Sequence, residues 1–96
     1  MKLVYHPLAE SEIIDAARFY EGRSAGLGEE FLGQIDDAAA RIQRNPQRWP
    51  IVEFEIRRIM LKRFPFGIYY RIADDTIRML AVKHHRRHPD YARDRS

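Results

Sequence analysis

The hydrophobic positions of this chain change period once, and the change divides it into a helical part and a sheet part. Lys2 to Tyr5 reads as a short strand punctuated by His6-Pro7. Proline is at home in the first turn of a helix, where its missing N–H has no partner to lose. Behind it Leu8, Ala9, Ile13, Ala16, Ala17 and Tyr20 recur at helical spacing, with Glu10, Glu12, Asp15 and Arg18 between them. That helix is expected to stop near Gly22, and Ser24-Ala25-Gly26-Leu27-Gly28 reads as a flexible connection. Glu29 and Glu30 favour a new helix start, because the positive end of the helix dipole attracts acids. Phe31, Ile35, Ala38, Ala39 and Ile42 form the second apolar stripe, which ends before Asn45-Pro46. So short a link predicts an antiparallel helical hairpin.

Beyond Trp49-Pro50 the period shortens to two. Ile51 to Phe54 and Ile56 to Leu61 read as strands. In the second, Arg57, Ile59 and Leu61 share one face, and Ile56, Arg58 and Met60 the other. Both faces are mixed, so the pattern leaves open which arginine points outward. Phe64-Pro65 marks a break, since proline cannot donate to a ladder. Phe66, Ile68, Tyr70 and Ile72 then alternate cleanly toward a core, leaving Tyr69 and Arg71 opposite. Ala73-Asp74-Asp75-Thr76 is a hairpin turn, and Ile77 to Val82 completes a meander. The order of elements predicts an α+β fold: an N-terminal strand, a helical hairpin, then an antiparallel meander forming one sheet covered by the two helices.

Composition narrows the class. Ninety-six residues suit a single domain, 1–96, and 45% hydrophobic with 32% charged residues is ordinary for a folded chain. Without cysteine there is no disulfide framework, thiolate nucleophile or zinc–thiolate site. No apolar run approaches the roughly 20 residues of a membrane-spanning helix, and the acids soon after Met1 do not suit a signal peptide. A cytoplasmic protein is expected.

The net charge of +3 hides a segregation. Met1 to Ile56 carries 6 basic and 10 acidic residues, whereas Arg57 to Ser96 carries 11 basic and 4 acidic. A folded domain so divided presents a positive face suited to polyanions or acidic protein segments. The plainer explanation is that the cations keep strands soluble and block edge pairing.

The run Lys83-His84-His85-Arg86-Arg87 is where chemistry is expected, because no core requires five such residues together. It is a solvated surface or a phosphate site. Cleaving RNA without a metal needs a base for the 2′-OH proton, cations on the phosphate and a donor for the leaving oxygen. His84 or His85 is a candidate acid or base, since a histidine side chain ordinarily changes charge near neutral pH. Metal binding is disfavoured, because Arg and Lys surround His84, His85 and His88. Trp49, Tyr69 and Tyr70 are candidates to stack on bases, although such aromatics more often fill a core. Gly26-x-Gly28 is too short for a phosphate-binding loop.

In its residues the chain resembles the RelE/ParE toxins of bacterial type II toxin–antitoxin modules, a family that includes plasmid stabilisation proteins. The resemblance is carried by Ala9-Glu10-Ser11-Glu12-Ile13, Tyr20, Leu27-Gly28 with Phe31-Leu32, and Asn45-Pro46. It continues through Ile56-Arg57-Arg58, Phe64-Pro65-Phe66 with Ile68-Tyr69-Tyr70, and His84-x-x-Arg87-x-Pro89. These pieces span nearly the whole chain in the same order.

The resemblance implies a growth-inhibiting toxin, neutralised by an acidic, partly disordered antitoxin within a hetero-oligomer and needing no cofactor. Its target divides the family. ParE-like members poison DNA gyrase, and Phe64 to Tyr70 leans that way. RelE-like members cut messenger RNA on the ribosome. For a nuclease, the resemblance places Arg57, Arg71, Arg87 and Tyr91, with His84, as catalytic candidates. Arg58, Lys62, Lys83, His85 and Arg86 are then binding candidates. A third possibility is a basic binding module without activity.

Overall fold

The computed structural model describes residues 1–85 and Arg95. Its elements run β1 (Lys2–Tyr5), α1 (Pro7–Arg23), α2 (Leu27–Arg44), β2 (Ile51–Glu53), β3 (Ile56–Met60), β4 (Phe66–Ala73) and β5 (Thr76–His84). The strands form one sheet in the order β1-β5-β4-β3-β2. β1 lies parallel to β5, with Leu3 opposite Ile77 and Tyr5 opposite Met79, and the other pairings are antiparallel. The expected α+β architecture is the one found.

Helix starts are set by side chains reaching back to open N–H groups, as such groups lack intrahelical partners. His6 caps α1, its Nδ1 accepting the Leu8 N–H at 3.0 Å. Glu21, near the end of α1, caps α2: its two carboxylate oxygens accept the Gly26 and Gly28 N–H groups, each at 2.9 Å. This corrects the flexible connection expected over Ser24 to Gly28. The second helix already starts at Leu27, because Glu21 closes the link and Gly26 takes the left-handed turn at φ 86°. Gly28 sits where the helices meet; a Cβ there would lie 2.6 Å from the Ala17 carbonyl.

One face of the sheet is covered by the helices. Phe31, Ile35, Ala38 and Ile42 of α2 pack on Ile59, Ile68, Tyr70, Ile77, Met79 and Val82. Tyr20, Phe31, Phe64 and Phe66 form an aromatic group at one end, with ring centroids between 4.8 and 6.1 Å apart. Leu8, expected on the buried stripe, is instead 51% exposed.

The hairpins are tight. β2 and β3 turn at Phe54-Glu55, both with positive φ (45° and 63°), the handedness that matches strand twist in a two-residue loop. Asp74 does the same service between β4 and β5 at φ 57°. The last strand runs further than expected, through Lys83 and His84, so the cationic run begins inside the sheet.

A bulge redirects β5. Tyr69 is opposite Ala81 but Tyr70 is opposite Met79, so Leu80 has no partner across the ladder. Leu80 and Ala81 consequently both join Ile56 and Tyr69 in a smaller buried cluster on the side away from the helices. The helix-free face is thus apolar at its centre.

Candidate functional site

The register of β3 against β4 sorts the arginines. Arg57 is opposite Tyr70, whose ring is in the helix-side core, so both point toward the helices. The Arg57 guanidinium donates to the carbonyls of Gln47 (3.0 Å) and Trp49 (2.7 Å), tying down the loop between α2 and β2. Arg58 is opposite Tyr69 and lies on the other face, with its side chain across Gly67. Arg71 shares that outer face and stands directly opposite Arg78. Like charges so placed repel, which an anion or acidic segment on this face would relieve.

The structure therefore separates candidates that the sequence left together. Arg57 and Arg71 are divided by the sheet, while Arg58, Arg71 and the unanticipated Arg78 line one face. Lys62 is exposed in the β3–β4 loop, and its N–H donates to Gln34 Oε1 at 3.2 Å. Lys83 pairs with Glu12 at 2.6 Å. The His84 ring lies 5.7 Å from Phe66 and 4.6 Å from the His85 ring, and His85 N–H donates to the Pro65 carbonyl at 2.7 Å. Arg86, Arg87 and Tyr91 lie outside the described residues.

The aromatic candidates are taken by packing. Tyr69 is 1% exposed and Tyr70 fully buried, the latter donating its hydroxyl to the Pro46 carbonyl at 2.6 Å. Neither ring is open to stack on a base. Trp49 is partly buried against the core, with the Arg41 and Arg48 guanidinium groups 5.5 and 5.4 Å from its ring centroid. The Tyr69 hydroxyl and Arg71 Nε are both buried, without a hydrogen-bond partner among the described residues.

Glu12 is the residue the sequence undervalued. Its polar neighbours on the first helix gave no sign that it would face the sheet. In the fold it lies beside a cleft of about 290 Å³ lined also by Asp15, Phe66, Val82, Lys83 and His84. Among the described residues no group of three or more His, Cys, Asp or Glu side chains is arranged to hold a metal ion.

The outward side of the helical hairpin carries a second depression, of about 230 Å³, lined by Tyr5, Glu10, Ile13, Ile14, Leu32, Ile35 and Asp36. Burial, then Asp36 and Glu10, hold the Tyr5 phenol above its ordinary value. Ile14 and Leu32 fall outside the apolar stripes read from the sequence, and that displacement was the available signal.

The model of the family described as "ParE toxin of type II toxin-antitoxin system, parDE" matches residues 3–89. The chain belongs to the ParE toxin family. No curated protein matches it. Among solved structures it is similar to a chain of the "Chromosomal ParDE TA system from P. aeruginosa", with a TM-score of 0.65 and 19% identity. That likeness covers 88% of this chain and 95% of the other, and it is a likeness of fold. Within the ParE fold, the separation of Arg57 from Arg71 is a property of this chain's own register. Among its described residues no helix is long and apolar enough to cross a membrane.

Proposed function

We propose that this chain is the growth-inhibiting toxin of a type II module, that it acts in the cytoplasm by poisoning DNA gyrase, and that a cognate antitoxin neutralises it. Family membership supports the toxin reading. The observation that favours a gyrase poison over a nuclease is the division of Arg57 from Arg71. A nuclease assembled from both would need its cations on one phosphate, whereas Arg57 is spent on the Gln47 and Trp49 carbonyls behind the sheet. A gyrase poison needs no such constellation; it needs a shaped, charged surface. The outer row of Arg58, Arg71 and Arg78 is suited to an acidic segment of the antitoxin.

That row also gives the nuclease reading its specific support, since three arginines along one face fit a polynucleotide backbone. One pair of assays separates the readings. Purified protein with gyrase and supercoiled plasmid should accumulate cleaved DNA, and messenger RNA ends should be unchanged after brief expression. New RNA ends without cleaved plasmid would reverse the order of the two. Neither signal, with normal growth at high soluble expression, would leave a binding module without toxicity.

A further inference from the structure

A two-residue hairpin turn with both φ values positive is ordinarily built from Asn-Gly, because a Cβ at positive φ crowds the following carbonyl oxygen. This chain places Phe54 and Glu55 there, at φ 45° and 63°. Phe54 is also 64% exposed, more than any other large apolar side chain among the described residues. One position thus combines backbone strain with apolar surface in water. Strained backbone of this kind gathers where a surface acts on a partner. The hairpin beneath the tip is firmly held. Ile56 is buried, and Val52 packs with it against Tyr69, Leu80 and Ala81. Arg57 fixes the loop entering β2 through the Gln47 and Trp49 carbonyls. A tip held in this way loses little freedom on binding. β2 is the edge of the sheet, but its three residues and irregular register offer little ladder for strand addition. Charge argues against a nucleic acid as the occupant, since Glu53 and Glu55 flank the ring and would repel phosphates.

We propose that the β2–β3 tip is an anchor for the target protein. Phe54 enters an apolar pocket of that protein, and Arg or Lys residues at the pocket's rim meet the exposed Glu55 carboxylate. The inference deepens the gyrase reading and rests on it for the identity of the target. A strained, exposed phenylalanine then lowers stability and supplies affinity, as expected where a site is held against the preference of the fold.

The test compares Phe54→Asn, Phe54→Leu and Glu55→Gln with the unaltered chain, by urea unfolding and by titration into purified gyrase with supercoiled plasmid. Asparagine tolerates positive φ and removes the ring. The urea midpoint of Phe54→Asn should therefore rise, while gyrase binding weakens about thirtyfold, as for the loss of a central aromatic anchor. Phe54→Leu keeps an apolar side chain and should weaken binding only about fivefold. Glu55→Gln should weaken it about threefold at low salt and leave it unchanged at high salt, as expected of a rim charge. A gain in stability together with lost binding excludes a folding defect as the cause. A lower midpoint for Phe54→Asn would mean that the ring serves the fold, and overturns the inference. Gyrase binding by Phe54→Asn within about threefold of the unaltered chain also overturns it, and leaves the gyrase reading standing. Binding to plasmid alone that is lost in Phe54→Asn would assign the ring to base steps. Self-association lost in that variant would assign it to a second copy, and either result overturns the proposal. If the unaltered chain neither binds gyrase nor yields cleaved plasmid, the gyrase reading falls and the inference with it.

Discussion

Glu12 accepts the backbone N–H of Val82 at 2.9 Å, joining the first helix to the last strand across 70 positions of sequence. β1 ends at Tyr5, opposite Met79, and beyond that point the edge of β5 would be open. Side chains close it. Glu12 takes the Val82 N–H and pairs with Lys83 at 2.6 Å and Arg95 at 2.9 Å, and Arg95 also donates to the Leu80 carbonyl at 3.2 Å.

Glu12→Ala should destabilise the fold by about 3 kcal/mol, since it strands the Val82 N–H and takes a shared carboxylate from two cations that are largely shielded from water. Glu12→Gln should cost less, because an amide oxygen still accepts from Val82. Urea unfolding of the two variants measures the difference. A loss below about 1 kcal/mol for the alanine would mean that solvent screens the cluster.

The neighbouring tyrosines should behave oppositely. Tyr70→Phe leaves the Pro46 carbonyl without its donor and should cost about 1–2 kcal/mol. Tyr69→Phe removes a buried hydroxyl that has no partner among the described residues. It should be neutral, or stabilising by up to about 1 kcal/mol. Thermal unfolding of both proteins tests the contrast; equal losses would contradict it.

Arg57 and Arg71 should separate stability from surface chemistry. Arg57→Ala frees the carbonyls of Gln47 and Trp49 and should cost about 2 kcal/mol, as expected for hydrogen bonds from a charged donor. Arg71→Ala relieves its repulsion with Arg78 and should change stability by under about 1 kcal/mol. Any large effect of Arg71→Ala on antitoxin affinity or growth inhibition is then a property of the outer face. The prediction fails if Arg71→Ala unfolds the protein as readily as Arg57→Ala.

Stability should fall at both extremes of pH, by different residues. Burial raises the Tyr5, Tyr20 and Tyr70 phenols above 10.0, with Asp36 and Glu10 adding to the shift at Tyr5 and Arg57 partly opposing it at Tyr70. A raised folded value means that the folded state holds its proton longer. The contribution is whole below the unfolded value and is lost as pH climbs through the folded one. Glu21 is lowered from 4.5, chiefly by the Gly26 and then the Gly28 N–H groups. Its contribution is present above the unfolded value and disappears as pH falls through the depressed one. In a series of urea titrations against pH, Glu21→Gln should change the pH dependence only on the acid limb, and a Tyr5→Phe, Tyr70→Phe double variant only on the alkaline limb, beside the pH-independent loss from the missing Pro46 hydrogen bond.

Much of the fold was legible because its signals are local. The stripe from Phe31 to Ile42 and the alternation from Phe66 to Ile72 each name a face with neighbours only a few positions away, and both pack into the helix-side core, with Ala39, Phe66 and Ile72 only partly buried. The start of α2 was misread because its cap is Glu21, a side chain from the preceding helix, and not a residue of the connection itself.

Candidate chemistry was less legible. Arg57 and Arg58 are adjacent in sequence and indistinguishable by pattern, since both faces of β3 mix apolar and cationic residues.

By itself the sequence determined the order and type of the elements, the helical hairpin and the segregation of charge, all of which follow from spacing and residue type. Only the tertiary structure decided which arginine turns outward, because that depends on pairing Arg57 with Tyr70 and Arg58 with Tyr69. The same holds for the bulge that leaves Leu80 unpaired and for the role of Glu12, whose partner Val82 enters its reach only when α1 packs beside β5. Local periodicity sets which residues share a face; contacts between distant segments set what that face meets.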